Sequence, residues 1–151
     1  MRVKNSMVIK YQEKIVILWI VFLLGLLFHT QLGLMPLFHD LSVAESHAKS
    51  MAEIALIMWL MLGFFVLPMF AIIATAFIDV RRYRSIHFGL TVLYTVLNFF
   101  HLLADVIVPP IAWYQIMLMV ILFIIGLLLN FVSFQWMKDR NGKQPREQVT
   151  F

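Results

Sequence analysis

At 62% hydrophobic and 13% charged residues over 151 positions, with a mean hydropathy of +0.90, the chain is too apolar for a soluble domain and falls in the integral membrane class. Its net charge of +4 comes from Lys and Arg gathered at the ends of apolar runs, so the basic balance reflects topology and gives no reason to expect nucleic-acid binding. With no Cys, disulfides and thiolate ligands are excluded.

Four apolar runs, roughly 15–35, 51–77, 86–108 and 111–136, each reach the about 20 helical residues that cross a bilayer core of about 30 Å. None alternates apolar with polar residues as a lipid-facing barrel strand does. The expected fold is all-α, an integral membrane four-helix bundle over residues 1–140, followed by a flexible cytoplasmic tail, 141–151.

The first run follows Arg2, Lys4, Lys10 and Lys14. It is too long for a signal-peptide core and lacks a small-x-small cleavage site, so it is expected to be a retained span. Within it Gly25, His29 and Gly33 recur every four residues and share one helix face. Clear space on both sides of a histidine admits a flat cofactor. The same pattern is also a small-residue seam for close helix packing.

Between the first two runs lies FHDLSVAESHAKSMAE, with His39, Asp40 and His47. Ser42 to Glu45 and Ser50 to Glu53 both read S-x-x-E, the capping box that opens a helix, so either acid is explained without a ligand role. If the first box is used, His47 and Met51 fall on one face of a protruding helix. The second run contains Pro68, which should kink it. After it, Asp79 is expected to pair with the basic loop of Arg81, Arg82 and Arg84.

The third run carries a polar face, Thr91, Tyr94, Asn98, His101 and Asp105, at spacings of three and four. His87, near Arg84, is expected at the membrane interface. A Val108-Pro109-Pro110 turn leads to the fourth run, where Asn130 and Ser133 are placed to bond across helices. Tyr11, Tyr83 and Trp136 suit one aromatic belt, Trp113 and Tyr114 the other.

Eleven of the twelve Lys and Arg fall on one side, leaving only Lys49 on the other. The positive-inside rule then puts both termini in the cytoplasm, and short loops favour an up-down-up-down order. The acids Asp40, Glu45, Glu53 and Asp105 and four of five histidines collect on the outer side. Ionisable residues in a membrane point to function by default. Counted from Lys14 and Arg84, His29 and His101 lie about 22 Å and about 25 Å along their helices, at matching height.

Three readings follow. The preferred one is b-type haem held in the outer third by His29 and His101 for electron transfer, with Gly25 and Gly33 making room and Asn98 and Asp105 orienting His101. The second is copper or another transition metal held by His39, His47, His101 and Asp105, with Glu53 and Met51 as further donors. The third is a non-catalytic accessory or assembly subunit whose polar face packs on a larger membrane complex. The site could also be shared across a homo-oligomer. A Gly-rich phosphate loop, G-x-S-x-G and a nucleophilic Cys are all missing, which favours an electron carrier, metal-binding protein or accessory subunit over a stand-alone enzyme. Its partners are then the lipid bilayer and a redox partner or larger complex.

Overall fold

A computed structural model describes residues 10–42, 50–107 and 111–139. Four long helices account for nearly all of them: α1 Tyr11–Leu34, α2 Met51–Phe77, α3 Arg81–Ile107 and α4 Trp113–Lys138. A short 3₁₀ helix, Met35–His39, continues α1, and no strand occurs among the described residues. Every one of the four helices is long and apolar enough to cross a membrane. The protein is therefore an integral, multi-pass membrane four-helix bundle. The tail 141–151, Arg2, Lys4, Glu45, His47, Lys49 and the Pro109-Pro110 turn lie outside the described residues.

The helix starts depart from the apolar runs at three places. α1 starts at Tyr11 and α3 at Arg81, ahead of residues 15 and 86, because helical backbone continues through charged end-turns that hydropathy does not count. α4 starts at Trp113, not 111, with Ile111 and Ala112 leading into it. α2 opens at Met51 on the second of the two capping boxes. Ser50 is its extended N-cap, but the Ser50 hydroxyl bonds the Glu53 carboxylate at 3.0 Å and not a backbone N–H. The 3₁₀ helix, with Pro36 in its first turn, ends on Asp40 at φ 57°, a left-handed stop that Asp tolerates better than most residues.

Packing is uneven. α4 lies close against both α1 and α3, and α2 packs on α1. Ile15, Trp19, Phe22 and Leu26, at spacings of three and four, turn one face of α1 into the core. They meet Tyr94 of α3 and Met119, Leu122, Leu129 and Trp136 of α4. A Cβ at Gly25 would run into Leu122, and one at Gly126 would stand 2.9 Å from Thr95 Oγ1, so these glycines permit the close approach of α4. The remaining surface is dominated by exposed Leu, Ile, Phe, Met and Val, as a lipid-facing surface requires.

α3 holds α2 through hydroxyl groups. Pro68 has no N–H to give to the Phe64 carbonyl one turn earlier, and Tyr94 of α3 donates to that carbonyl at 2.6 Å. Tyr83 donates to Ala71 O at 2.8 Å and stands 2.9 Å from Thr75 Oγ1. Gln12 of α1 donates to Thr75 O at 3.0 Å.

At the Arg84 end of the bundle Asp79 pairs with the basic loop as expected, through Arg84 at 2.7 and 2.8 Å. Arg84 is one turn into α3 and faces the bundle, where it also donates to Trp136 O at 3.1 Å and Asp139 O at 2.9 Å. His87 is no interfacial residue turned to solvent; it is buried, 1% exposed, and accepts a 3.0 Å bond from the Trp19 indole. Trp136 is likewise buried, edge-on to Tyr83 and His87, and so belongs to the core and not to an aromatic belt.

Candidate functional site

At the other end of the bundle α1 and α3 bring His29, His101 and Asp105 together. Each residue offers a ligand atom, and the three atoms lie within 4.8 Å of one another. The two Nε2 atoms are 3.3 Å apart, with the rings edge to face at 79° and their centroids 5.3 Å apart. Asp105 Oδ2 is 3.6 Å from His29 Nε2, and Oδ1 is 3.8 Å from His101 Nε2. Helical spacing explains half of this cluster, because His101 and Asp105 are one turn apart on α3. The other half is the crossing of α1, which delivers His29 from the facing helix.

The cluster is partly shielded. The His29 side chain is 13% exposed, Asp105 22% and His101 55%. A carboxylate between two imidazoles sets a negative group where a cation would sit, in surroundings drier than bulk water. Such a grouping suits a borderline divalent ion of the first transition row, with imidazole and carboxylate as donors.

The other candidate residues fall elsewhere. His39 lies exposed at the end of the 3₁₀ helix, and Met51 and Glu53 are exposed in the first turn of α2. Neither His39 nor Glu53 belongs to the cluster, and His47 is outside the described residues. Gly25 turns toward Leu122, and a Cβ at Gly33 would meet the Gln115 side-chain amide at 3.3 Å, so both glycines look toward α4. Asn98 is 2% exposed and lacks a hydrogen bond to His101. Its Oδ1 and Nδ2 are both buried without a partner among the described residues, as is Nδ1 of His29.

A cavity of about 390 Å³ adjoins the cluster, lined by residues of all four helices. His29, Thr30, Asn98 and His101 are the polar residues along it, while Leu60, Met61 and Phe64 of α2 are part of an apolar wall. The α2 wall has no signature in the sequence, since leucine and phenylalanine at these positions read only as span. Of the two α4 residues expected to bond across helices, Asn130 donates to Thr95 of α3 at 3.0 Å, a partner outside the predicted polar face, whereas Ser133 Oγ is buried without a partner among the described residues. No protein-family model, curated protein or solved structure matches the chain.

Proposed function

We propose that this protein is a small membrane metal-binding protein that holds a divalent transition-metal ion between His29, His101 and Asp105. The observation that carries the reading is the convergence of two imidazole nitrogens and a carboxylate from two helices within 4.8 Å. A tetrahedral ion with bonds of about 2.0–2.1 Å keeps its ligands about 3.3 Å apart. The imidazole nitrogens stand 3.3 Å apart and lie 3.6 and 3.8 Å from different oxygens of Asp105, so a turn of the carboxylate that brings one oxygen to both nitrogens closes that triangle. Three protein ligands leave a fourth position open for a water or an exchanging ligand, which suits metal handling or a reactive centre better than a closed structural site. No thioether enters the triad, so a borderline ion such as zinc, ferrous iron or cupric copper is favoured over Cu(I).

Haem b between the same histidines is the less favoured reading. Bis-histidine ligation needs the two rings on opposite faces of a macrocycle, and here the two Nε2 atoms are within 3.3 Å of each other. The space beside Gly25, which that reading needs for the ring, is taken by Leu122.

Sidedness is part of the proposal. Arg81, Arg82, Arg84 and Lys138 gather at one end of the bundle and the histidine cluster lies at the other, which supports cytoplasmic termini, an up-down-up-down order and an outward-facing metal site.

The test is metal content and spectroscopy of the protein purified in mild detergent. One zinc per chain, displaceable by cobalt with visible bands of a low-coordinate nitrogen and oxygen site, is the expected result. His29→Ala and His101→Ala should each weaken binding by about a hundredfold or more, since each removes one of three ligands. Zinc retention equal in wild type and both variants overturns the reading. A sharp b-type band in the dithionite-reduced minus oxidised spectrum would replace it with haem. Absence of metal and haem from carefully prepared protein would leave a non-catalytic accessory subunit.

A further inference from the structure

α2 is anchored to the bundle through its second half. Its buried residues are Pro68, Ala71 and Thr75, and α1 and α3 reach it with hydrogen bonds at Phe64, Ala71 and Thr75. Residues 51–63 include no buried position, whereas α4 buries one on every turn from Ile116 to Trp136. The cavity separates part of this stretch from α3, with Ile57, Leu60 and Met61 on its α2 side and Leu97 and His101 on its α3 side. A segment with so few buried contacts moves at low free-energy cost.

The junction between the two halves is a place where a helix bends. Pro68 removes the N–H that would bond the Phe64 carbonyl, and its ring crowds the same carbonyl. Tyr94 holds Phe64 from α3, by the 2.6 Å bond to that carbonyl and by ring contact with centroids 4.8 Å apart. The pivot is thus fixed, and the first half of α2 is the lever. From Phe64 to Met51 it runs about 20 Å at the usual helical rise, so a change of about 20° in the bend shifts its far end by about 7 Å.

Height decides what the lever covers. Tyr83 meets Ala71 and Tyr94 meets Phe64, so α3 advances as α2 recedes. Carried two turns further, the same pairing sets Ile57 level with His101, and both residues line the cavity. Ile57 is 56% exposed and the His101 side chain 55%, so neither is covered in the present position. At that height the same swing moves Ile57 by about 3–4 Å, enough to admit or exclude a water molecule. Lipid tails are as apolar as Ile57, Leu60 and Met61, so closing the cavity gains packing without a hydrophobic driving force, and neither position is strongly preferred.

We propose that residues 51–63 of α2 form a lid, pivoting at Pro68, whose closure lays Ile57 over His101 and shuts the open coordination position of the metal site off from water. A bound ion then exchanges only while the lid is open. The covering role rests on the metal reading; the motion stands without it.

The experiment measures the motion, and then its effect, on the full chain in lipid nanodiscs. The chain has no Cys, so two introduced thiols are its sole sites for spin labels. Labels at Ala52→Cys and Phe100→Cys report the lever, and labels at Phe70→Cys and Phe100→Cys report the anchored half, all at exposed positions. Pulsed spin-resonance distances for the first pair should spread over about 6 Å, the displacement of Ala52 in that swing, while the second pair gives one narrow peak. Pro68→Ala restores the backbone bond and should narrow the first distribution. A first pair as narrow as the second, or a spread that Pro68→Ala leaves unchanged, overturns the lid. For the covering role, zinc loss to a chelator is timed in wild type, Ile57→Ala and Ile57→Trp. Ile57 is no ligand, so zinc stoichiometry should hold while Ile57→Ala speeds the loss and Ile57→Trp slows it, each by about five- to tenfold. Equal rates in all three overturn the covering role. Lever motion in a protein that takes up no zinc would overturn the metal reading alone, and zinc uptake with a rigid lever would overturn the lid alone.

Discussion

The hydroxyl of Tyr94 donates to the carbonyl of Phe64 across 2.6 Å, and Phe64 lies four residues before Pro68. The proline withholds the N–H that this carbonyl would take in an uninterrupted helix, and a side chain from α3 replaces it. A backbone acceptor inside a bilayer must find a donor within the protein, so the bond fixes both the height and the rotation of α3 against α2. The same residue forms part of the core beside Trp19, with ring centroids 5.3 Å apart.

Removal of that hydroxyl is the first test of the architecture. Tyr94→Phe keeps the ring packing and leaves the Phe64 carbonyl without its donor, and should lower stability by about 1–2 kcal/mol. Pro68→Ala restores a backbone N–H to the same carbonyl. In the Pro68→Ala background, Tyr94→Phe should therefore cost distinctly less. A double-mutant cycle of thermal or denaturant unfolding in detergent measures the coupling, and additive effects would show that the two residues do not share the carbonyl.

At the Arg84 end, a contrast between partners is expected. Arg84 is 7% exposed and joins Asp79, Trp136 O and Asp139 O, so Arg84→Met strips donors from several acceptors at once. Its cost should be about 3 kcal/mol, at the lower end of what breaking a buried charged network costs. The Asp79 side chain is 48% exposed, and solvent screens its share of the pair. Asp79→Asn should cost less than about 1 kcal/mol. Equal losses for the two variants, measured by unfolding in the same detergent, would mean that the salt bridge, not the carbonyl contacts, carries the joint.

Much of the architecture could be read from residue spacing, and the exceptions have physical causes. Helix number and type follow from apolar runs long enough to cross a bilayer, and the α3 polar face follows from spacings of three and four. Counting helical rise from Lys14 and Arg84 puts His29 and His101 at one height, and in the structure their nitrogens meet at 3.3 Å. What spacing cannot supply is the identity of the helix across from a face. Gly25 reads as open space until Leu122 of α4 is seen to fill it. Asp79 has three arginines within reach in the chain, and only the phase of α3 selects Arg84. His87 did carry a signal, since it continues the polar face one turn before Thr91, but the neighbouring charges disguised it as an end residue. Nothing marks Leu60, Met61 or Phe64 as cavity wall, because that role depends on how far α2 stands from α3.

Metal occupancy should fall with pH in a defined direction. Imidazole binds a metal through a nitrogen that must be free of its proton, so protons compete with the ion. As pH falls from about 8 to about 5, the window in which histidine changes charge, zinc affinity should drop steeply. The site has two histidines, and the slope of log affinity against pH should exceed that of a one-histidine variant, His101→Ala. Asp105→Asn should weaken binding with less change in that slope, because it keeps both histidines. Zinc titrations at several pH values check both, and an affinity flat with pH would remove the histidines from the site.

The glycines separate packing from cofactor space. In the packing reading, Gly25→Ala pushes a methyl group into the buried Leu122 side chain, which must repack, costing about 1–3 kcal/mol as overpacking does. Gly63 of α2 has nothing within 4 Å of its would-be Cβ, and Gly63→Ala should be neutral or slightly stabilising through helix propensity. Neither change touches the three metal ligands, so zinc stoichiometry should survive in both. Unfolding curves and metal analysis on the same preparations decide the matter. If Gly25→Ala left stability intact but removed a bound chromophore, the open face of α1 would be cofactor space after all, and haem would move ahead of a bare metal ion at His29 and His101.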